Sequence, residues 1–476
     1  MYLEMDIEKK IPIHVGLFGH IDSGKTAIAE VISEIISTAG IDAHPQSKER
    51  GITIDLGFTS FLLDKYLVTL VDGPGHADLI KISASSVEII DIAIIVIDIN
   101  KGPQVQTGEH LIMVESLRIK DVIVILNKID LFKKDVDEEI KKTRDFFDST
   151  SFGSDVPIYA VSAKNKVGFE ALKKGILEKV NSLEIKRIID GDLIIPIDHH
   201  FPIKGIGAVL TGTILSGTLR LNQNIEILPI KSSGRVKSIQ IFHQNVDFAK
   251  AGDRVGINIK GIDVKKVYRG CYVTNNPNAF EYCNIIGVKV NNNSLFKPNT
   301  RFGTQVHITI GMLTITGNIY PFDEIEGRKI QKSVSNKDKS FKAIIILKDK
   351  VLIRKKNAIL LISRLDLPPT TLRILGSADL LKIYDKSPLF YKYKIKKGVI
   401  KNPEHPQGII CMGLAQSAIG AKKIVGKKLE SPFTTVLNTF GTKGAVIVGI
   451  EIKDIVIKKG DPVFLKELRS FHVKNI

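Results

Sequence analysis

Between an apolar run, His14–Phe18, and a helical pattern beginning near Lys25 lies Gly19-His20-Ile21-Asp22-Ser23-Gly24-Lys25-Thr26. This octapeptide narrows the folds open to the chain more than any other segment, because it has the phosphate-loop spacing G-x-x-x-x-G-K-[ST]. Glycines let consecutive backbone N–H groups turn inward around phosphate oxygens, and a helix starting there adds the positive end of its dipole. Lys25 can reach the outer phosphates, and the Thr26 hydroxyl is placed for Mg2+. Gly19, Asp22, Ser23, Gly24, Lys25 and Thr26 are therefore the expected phosphate-binding residues. A plain glycine turn between strand and helix would need neither the lysine nor the threonine.

The surrounding pattern agrees. From Ile11 to about Leu183, strand-like runs (His14–Phe18, Tyr66–Asp72, Ile92–Asp98, Val122–Asn127, Ile158–Ser162) alternate with amphipathic stretches such as Lys25–Ser37, Gln106–Leu117 and Phe169–Val180. Continuous apolar strands alternating with helices predict a parallel sheet covered on both faces, a doubly wound α/β domain. Ligands of such sheets bind at the carboxyl ends of the strands, and three further tags sit there. Asp72-Gly73-Pro74-Gly75-His76 offers Asp72 to Mg2+ through water and the Gly75 amide to a γ-phosphate. Asn127-Lys128-Ile129-Asp130 offers Asp130 to the paired N1 and N2 donors of guanine, which adenine lacks, so a buried carboxylate there rejects adenine. Ser162-Ala163-Lys164 supplies a backbone N–H toward guanine O6, with Lys128 and Lys164 flanking the base. An N-K-x-D alone is more often a cap or a turn; four tags in order predict GTP and GDP as ligands.

A switch is legible between the first two tags. Arg50-Gly51-Ile52-Thr53 places Thr53 to complete the Mg2+ shell, a contact made only with a triphosphate. His76 is placed to orient an attacking water, or alternatively to cap a helix beginning near Ala77. No arginine stands as an intrinsic finger, so hydrolysis is expected to be slow until an external activator acts.

At 476 residues the chain exceeds what one core supports, since single cores stop growing near ~250–300 residues. After Lys186 helical periodicity fades, and Gly, Asn and Pro punctuate short strand-like runs: Leu193–Ile197, Ala208–Leu215, Asn224–Ile227, Arg235–Phe242, Arg254–Ile259. These predict antiparallel barrels. The expected organisation is a P-loop domain over 1–185, followed by three all-β barrel domains over 186–278, 279–385 and 386–476. The last block carries 17 Lys plus Arg against 6 Asp plus Glu, so +11 of the net +17 lies there. Such an excess attracts polyphosphate backbones, although a solvated lysine-rich surface gives the same count. Three cysteines with no C-x-x-C pair argue against a disulfide framework or a zinc site and suit a reducing cytoplasm. No run of 18 apolar residues predicts a membrane span, and the mixed-charge start lacks the pattern of a signal peptide.

Taken together, G-H-x-D-x-G-K-T, R-G-I-T-I and D-G-P-G-H-A-D resemble the translational GTPases of the elongation factor Tu type. Phe201–Gly212 and Ala251–Gly256 are similar to the opening and closing segments of that family's second domain. Two departures narrow the resemblance. The switch continues as Ile54-Asp55-Leu56-Gly57-Phe58, similar to selenocysteine-specific elongation factors, and Arg254 stands where the general factors have an Asn beside the esterified amino acid. The resemblance implies a pocket of Asp198, His199 and Arg254 for selenocysteine. A selenol ionises far more readily than a thiol or an alcohol, so Arg254 would pair with selenolate and be left uncompensated by serine. It further implies a monomer that binds selenocysteinyl-tRNA and the ribosome. Domain three would contact tRNA, and the basic fourth barrel would contact RNA or the ribosome, including a selenoprotein mRNA element met directly or through an adaptor. The rival readings are a general elongation or initiation factor carrying another aminoacyl-tRNA, the GTPase subunit of sulfate adenylyltransferase, and a ribosome-associated GTPase that binds no tRNA.

Overall fold

A computed structural model of the chain describes residues 7–33, 35–36, 56–73, 89–203, 207–451 and 456–473. Thr53, Gly75 and His76 lie outside the described residues.

The P-loop domain is built on a seven-stranded sheet of order β2-β3-β4-β1-β5-β6-β7. Its strands are β1 (Ile11–Phe18), β2 (Ile35–Ile36), β3 (Gly57–Leu63), β4 (Tyr66–Asp72), β5 (Ile92–Asp98), β6 (Val122–Asn127) and β7 (Ile158–Ala160). The five strands β4-β1-β5-β6-β7 run parallel, and both faces of them are apolar. On one side Ile92, Ile94 and Val96 meet the helices Lys25–Ile32 and Phe169–Ser182. On the other, Ala93, Ile95 and Ile97 meet Val105–Ser116 and Phe147 of Val136–Asp148. That last helix was missed in the sequence, although Asp135 caps it and three carboxylates fill its first turn.

Two elements differ from expectation. The first helix stops at Ile32 rather than running on to Ser37, and Ile35–Ile36 adds to β3 instead. The Ser33 hydroxyl, which bonds Ala29 O and Thr59 Oγ1, competes with the helical ladder at that point. Nor is the sheet purely parallel: β3 and β4 form an antiparallel hairpin closed by Asp64-Lys65, with Asp64 in the left-handed region at φ +55°.

The second domain is a closed six-stranded barrel. Its strands pair in the order Asn224–Leu228, Tyr272–Thr274, Ile194–Ile203, Gly207–Thr213, Arg254–Lys260, Ser232–Ile241 and back to the first. The third closes likewise through Thr304–Ile310, Ile359–Ser363, Ile374–Ile383, Phe280–Asn292, Ser340–Arg354 and Leu313–Ile325. These two barrels and the P-loop domain form one compact unit. A second unit gathers Lys386–Asn475 together with Phe322–Lys332, a segment that the sequence reading had grouped with the third domain. The physical cause is a parallel pairing of Arg328–Gln331 with Leu389–Asn402 and the packing of Phe322 on Phe390. In this unit bridges at Lys428–Thr435 and Leu429–Leu465 bring the sheet ends together around Ile400, Val436, Val446 and Leu465. Among the described residues no helix is long and apolar enough to cross a membrane.

Within the first unit, buried polar contacts join the domains. Glu109 accepts from Arg373 Nε at 2.8 Å, Nη2 at 2.9 Å and the backbone N at 3.1 Å, with both side chains almost wholly buried. Asn293 donates to Glu115, nearly two turns further along the same helix. Removing one partner of a buried pair strands the other charge, at a cost of about 3–5 kcal/mol. Glu109→Ala is therefore expected to lower the denaturation midpoint sharply and to release the third domain from the P-loop domain. Limited proteolysis and urea titration read this out, and unchanged values would show that the pair contributes nothing net.

Candidate nucleotide and aminoacyl sites

The phosphate loop is strained where the motif requires glycine. Gly19 has φ +146°, and an added Cβ would come within 2.2 Å of Val96 O. Gly24 has φ +90°, and its Cβ would meet Asn127 Nδ2 at the same separation. Asn127 comes that close because it ties two tags together, donating to Ser23 O at 3.0 Å and accepting from Ala163 N at 3.2 Å. Lys25 is buried and donates to Gly19 O and His20 O at 3.1 and 3.0 Å. Burial pushes its ammonium pKa down, against the attraction of Asp72 and Asp22. A buried ammonium resting on loop carbonyls beside a buried Ser23 Oγ that has no hydrogen-bond partner among the described residues is a cradle fitted to phosphate oxygens. Thr26 Oγ1 donates to the fully buried Asp72 at 2.8 Å, so the two oxygens expected at a metal stand together.

At the base end, Ser162 Oγ donates to Asp130 at 2.6 Å and accepts from Asn165 N at 3.1 Å. Asp130, which rejection of adenine would place in a buried setting, is exposed and aimed by Ser162 rather than enclosed. Lys128 has φ +70° and is held by Asp98 at 2.9 Å, while Lys164 is exposed. Asp98, which also accepts from Asn100, was not singled out in the sequence, and neither was His110. His110 Nδ1 accepts the Gly19 N–H at 3.2 Å from the helix behind the loop. Burial, followed by the charges of Lys25 and His20, pushes its pKa down to about 3, so it stays neutral and can accept. The only sequence signal was a Glu109-His110 pair breaking an apolar helix face.

In the barrel of the second domain, Asp198, His199 and Arg254 lie together. Pairing of Ile194–Ile203 with Gly207–Thr213 shifts register between Ile197 and His199, and this bulge carries Asp198. Arg254 Nη1 and Nη2 donate to Asp198 at 2.6 and 3.0 Å, a two-pronged pair with both side chains buried. Thr211 donates to the same carboxylate at 2.6 Å, and His199 Nδ1 stands 3.0 Å from it. Burial alone would raise the Asp198 carboxyl; the Arg254 charge and the hydrogen bonds outweigh this and hold it well below the usual carboxylate range. The guanidinium carbon of Arg254 lies 3.3 Å from the ring centroid of Phe58, on β3 of the P-loop domain. His199 meets the same ring edge-on at 6.1 Å and stacks on Phe201 at 5.9 Å. Thr211, and the contact made by Phe58, were not foreseen.

Residues 10–182 match the elongation factor Tu GTP binding domain, 207–274 match elongation factor Tu domain 2, and 281–384 match domain III of the archaeal selenocysteine-specific elongation factor. A selenocysteine-specific elongation factor of Methanocaldococcus jannaschii is 40% identical over 487 residues, covering 99% of this chain and 100% of that one. The chain belongs to the selenocysteine-specific elongation factors. The mouse factor of the same name is 38% identical over 334 residues, which is 65% of this chain and 56% of the mouse one. Among solved structures, translation elongation factor SelB from Methanococcus maripaludis in complex with the GTP analogue GppNHp superposes with a TM-score of 0.81 at 34% identity, covering 97% of this chain and 99% of that one.

The buried histidines give this family member a pH dependence of known sign. An unfolded histidine takes a proton near pH ~6.5, whereas folded His110 and His14 resist until about 3 and about 4. Their stabilising contribution is full above ~6.5 and is lost as pH falls, at about 1.4 kcal/mol per unit for each. Asp253, raised to about 6 by burial, works in the opposite direction, so variant and parent are compared at each pH. In urea titrations from neutral pH to mild acid, His110→Gln should flatten the slope by about that amount. An unchanged slope would mean that His110 is protonated in the fold.

Proposed function

We infer that the chain is a GTP-hydrolysing elongation factor that binds selenocysteinyl-tRNA and delivers it to the ribosome at recoded UGA codons, with GTP hydrolysis triggering release. The observation that carries the cargo assignment is the buried guanidinium of Arg254, gripped by Asp198 in the second domain and lying against a ring of the GTPase domain. Guanidinium has five donors in a rigid fork, and Asp198 takes two of them, which fixes the plane in which the cation meets a selenolate. Asp198 also suits the α-amino group, and His199 is a second donor. Seryl-tRNA brings a neutral hydroxyl and leaves the ion cluster without that gain.

In the GTPase domain, Lys25 and the Gly19–Thr26 amides bind the phosphates, joined by Gly75. Asn127 and Ala163 hold the loop and base site in register, and Ser162 aims Asp130 at guanine. Lys128 and Lys164 flank the base. Thr26, Asp72 and Thr53 are the residues that would hold Mg2+, whose charge neutralises the phosphates when it is bound. His76 orients the attacking water, and ribosomal stimulation makes up for the missing arginine finger. The third domain contacts tRNA, and the basic barrel from Lys386 contacts RNA or the ribosome, including a selenoprotein mRNA element. The factor acts as a monomer in the cytoplasm.

Two experiments test this reading. Because Arg254 alone cannot be removed without stranding Asp198, the informative variant is Asp198→Asn with Arg254→Gln. In GTP-dependent filter binding it should lose its preference for selenocysteinyl- over seryl-tRNA by on the order of a hundredfold, with GTP affinity intact. Equal binding of both tRNAs by the parent would end the cargo assignment. Separately, Asp130→Asn should weaken GTP by at least about tenfold while gaining affinity for xanthosine triphosphate, whose C2 oxygen accepts where guanine donates. Retained guanine preference would show that another residue reads the base.

A further inference from the structure

In the unit formed by Lys386–Asn475 and Phe322–Lys332, strands Leu389–Asn402 and Pro462–His472 pair antiparallel from Leu389 opposite His472 to Val399 opposite Pro462. At ~3.4 Å per residue this ribbon is about 35 Å long. One face, with Phe390, Ile400, Val463 and Leu465, is apolar and buried, as a barrel wall requires. The opposite face should then be polar, yet Tyr393, Ile395 and Val399 stand on it 43, 57 and 43% exposed. Leu468 stands across from Tyr393, and exposed Lys466 and Lys397 sit among them. Lys466 Nζ lies 4.1 Å from the Tyr393 ring centroid, so ring and cation form one composite patch.

The rest of the ribbon is also cationic, with Lys392, Lys394 and Arg469 exposed. The single carboxylate in the two strands, Glu467, is taken up by Lys427 at 2.6 Å and Lys396 at 3.2 Å. A ligand for this face must therefore bring negative charge and flat apolar surface together. Duplex RNA offers phosphates and hydroxyls but keeps its base faces stacked inside, and would leave Tyr393 and Ile395 uncovered. Unpaired RNA offers both, because each base has a π-face and each linkage a phosphate.

We propose that this face binds an unpaired stretch of RNA distinct from the carried tRNA, with bases against Tyr393 and Ile395 and phosphates against Lys397 and Lys466. The proposal rests on the preceding reading in one respect: the unpaired acceptor end of the cargo is already committed to the Arg254 pocket.

The probe is a labelled oligouridylate of about ten nucleotides, titrated into the full chain with GTP, with and without saturating selenocysteinyl-tRNA. Tyr393→Ala should weaken the probe about tenfold, Tyr393→Phe should retain its affinity, and neither should alter tRNA binding. Lys397→Gln and Lys466→Gln should each lower the slope of log affinity against log salt by about 0.7. The proposal is overturned if the parent does not bind the probe, if Tyr393→Ala binds it as the parent does, or if a duplex of the same length binds equally well. Displacement of the probe by the tRNA would overturn the claim of a second RNA. Failure of the probe alongside normal tRNA selectivity would sink this inference and leave the delivery function standing.

Discussion

A guanidinium placed out of water has to be compensated on the spot, and the architecture around Arg254 reads as the consequence of that requirement. Asp198 supplies the charge, Thr211 and His199 fix the carboxylate, and Phe58 covers the flat face of the cation. The carboxylate comes from a bulged strand of the second domain and the ring from β3 of the first. The ion pair itself lies within the second domain, and it is its aromatic cover that requires the two domains to be docked as they are here. Phe58 lies five residues beyond Thr53 in the sequence, on the strand that follows the switch motif.

The same logic governs the other seams of the first unit. His14, on the central strand of the sheet, meets Gly252 O at 2.6 Å, and Gly252 adopts φ +101° where an added Cβ would strike Pro12. Arg187, in the connection between the first two domains, pairs with Asp91. Glu109 and Arg373 join the first domain to the third. These contacts are directional and polar, unlike the aliphatic cores inside each domain. They hold one relative placement of domains rather than many, and each depends on geometry that a modest rotation would break. The neighbouring positions Glu109 and His110 show the economy of this arrangement: one faces the third domain, the other holds the first glycine of the phosphate loop.

Legibility in the sequence followed locality. The strands Tyr66–Asp72, Ile92–Asp98 and Val122–Asn127 were readable to the residue because buried parallel strands are continuous apolar runs with polar ends. The phosphate loop and the N-K-x-D and S-A-K tags stand out in the sequence because backbone geometry and hydrogen-bond inventory restrict which residues can serve. The helix Val136–Asp148 escaped, its strongly charged stretch masking the apolar contact made by Phe147. The first helix was drawn too long because a serine hydroxyl and a short edge pairing decided its end. Asp130 was expected buried, and it is the hydroxyl of Ser162, thirty-two positions away in the chain, that aims it.

By itself the sequence determined the chemistry available: a phosphate cradle, a carboxylate and amides for guanine, a basic final domain and one arginine in an unusual place. Each of these depends on residue type and short spacing, which covalent geometry alone constrains. Only the tertiary structure decided which groups meet across long separations without a motif to announce them, such as Arg254 with Phe58, Glu109 with Arg373, and Phe322–Lys332 with Leu389–Asn402. Such meetings are set by the closing of barrels and the burial of charge, and the register and docking that bring them about are properties of the folded whole.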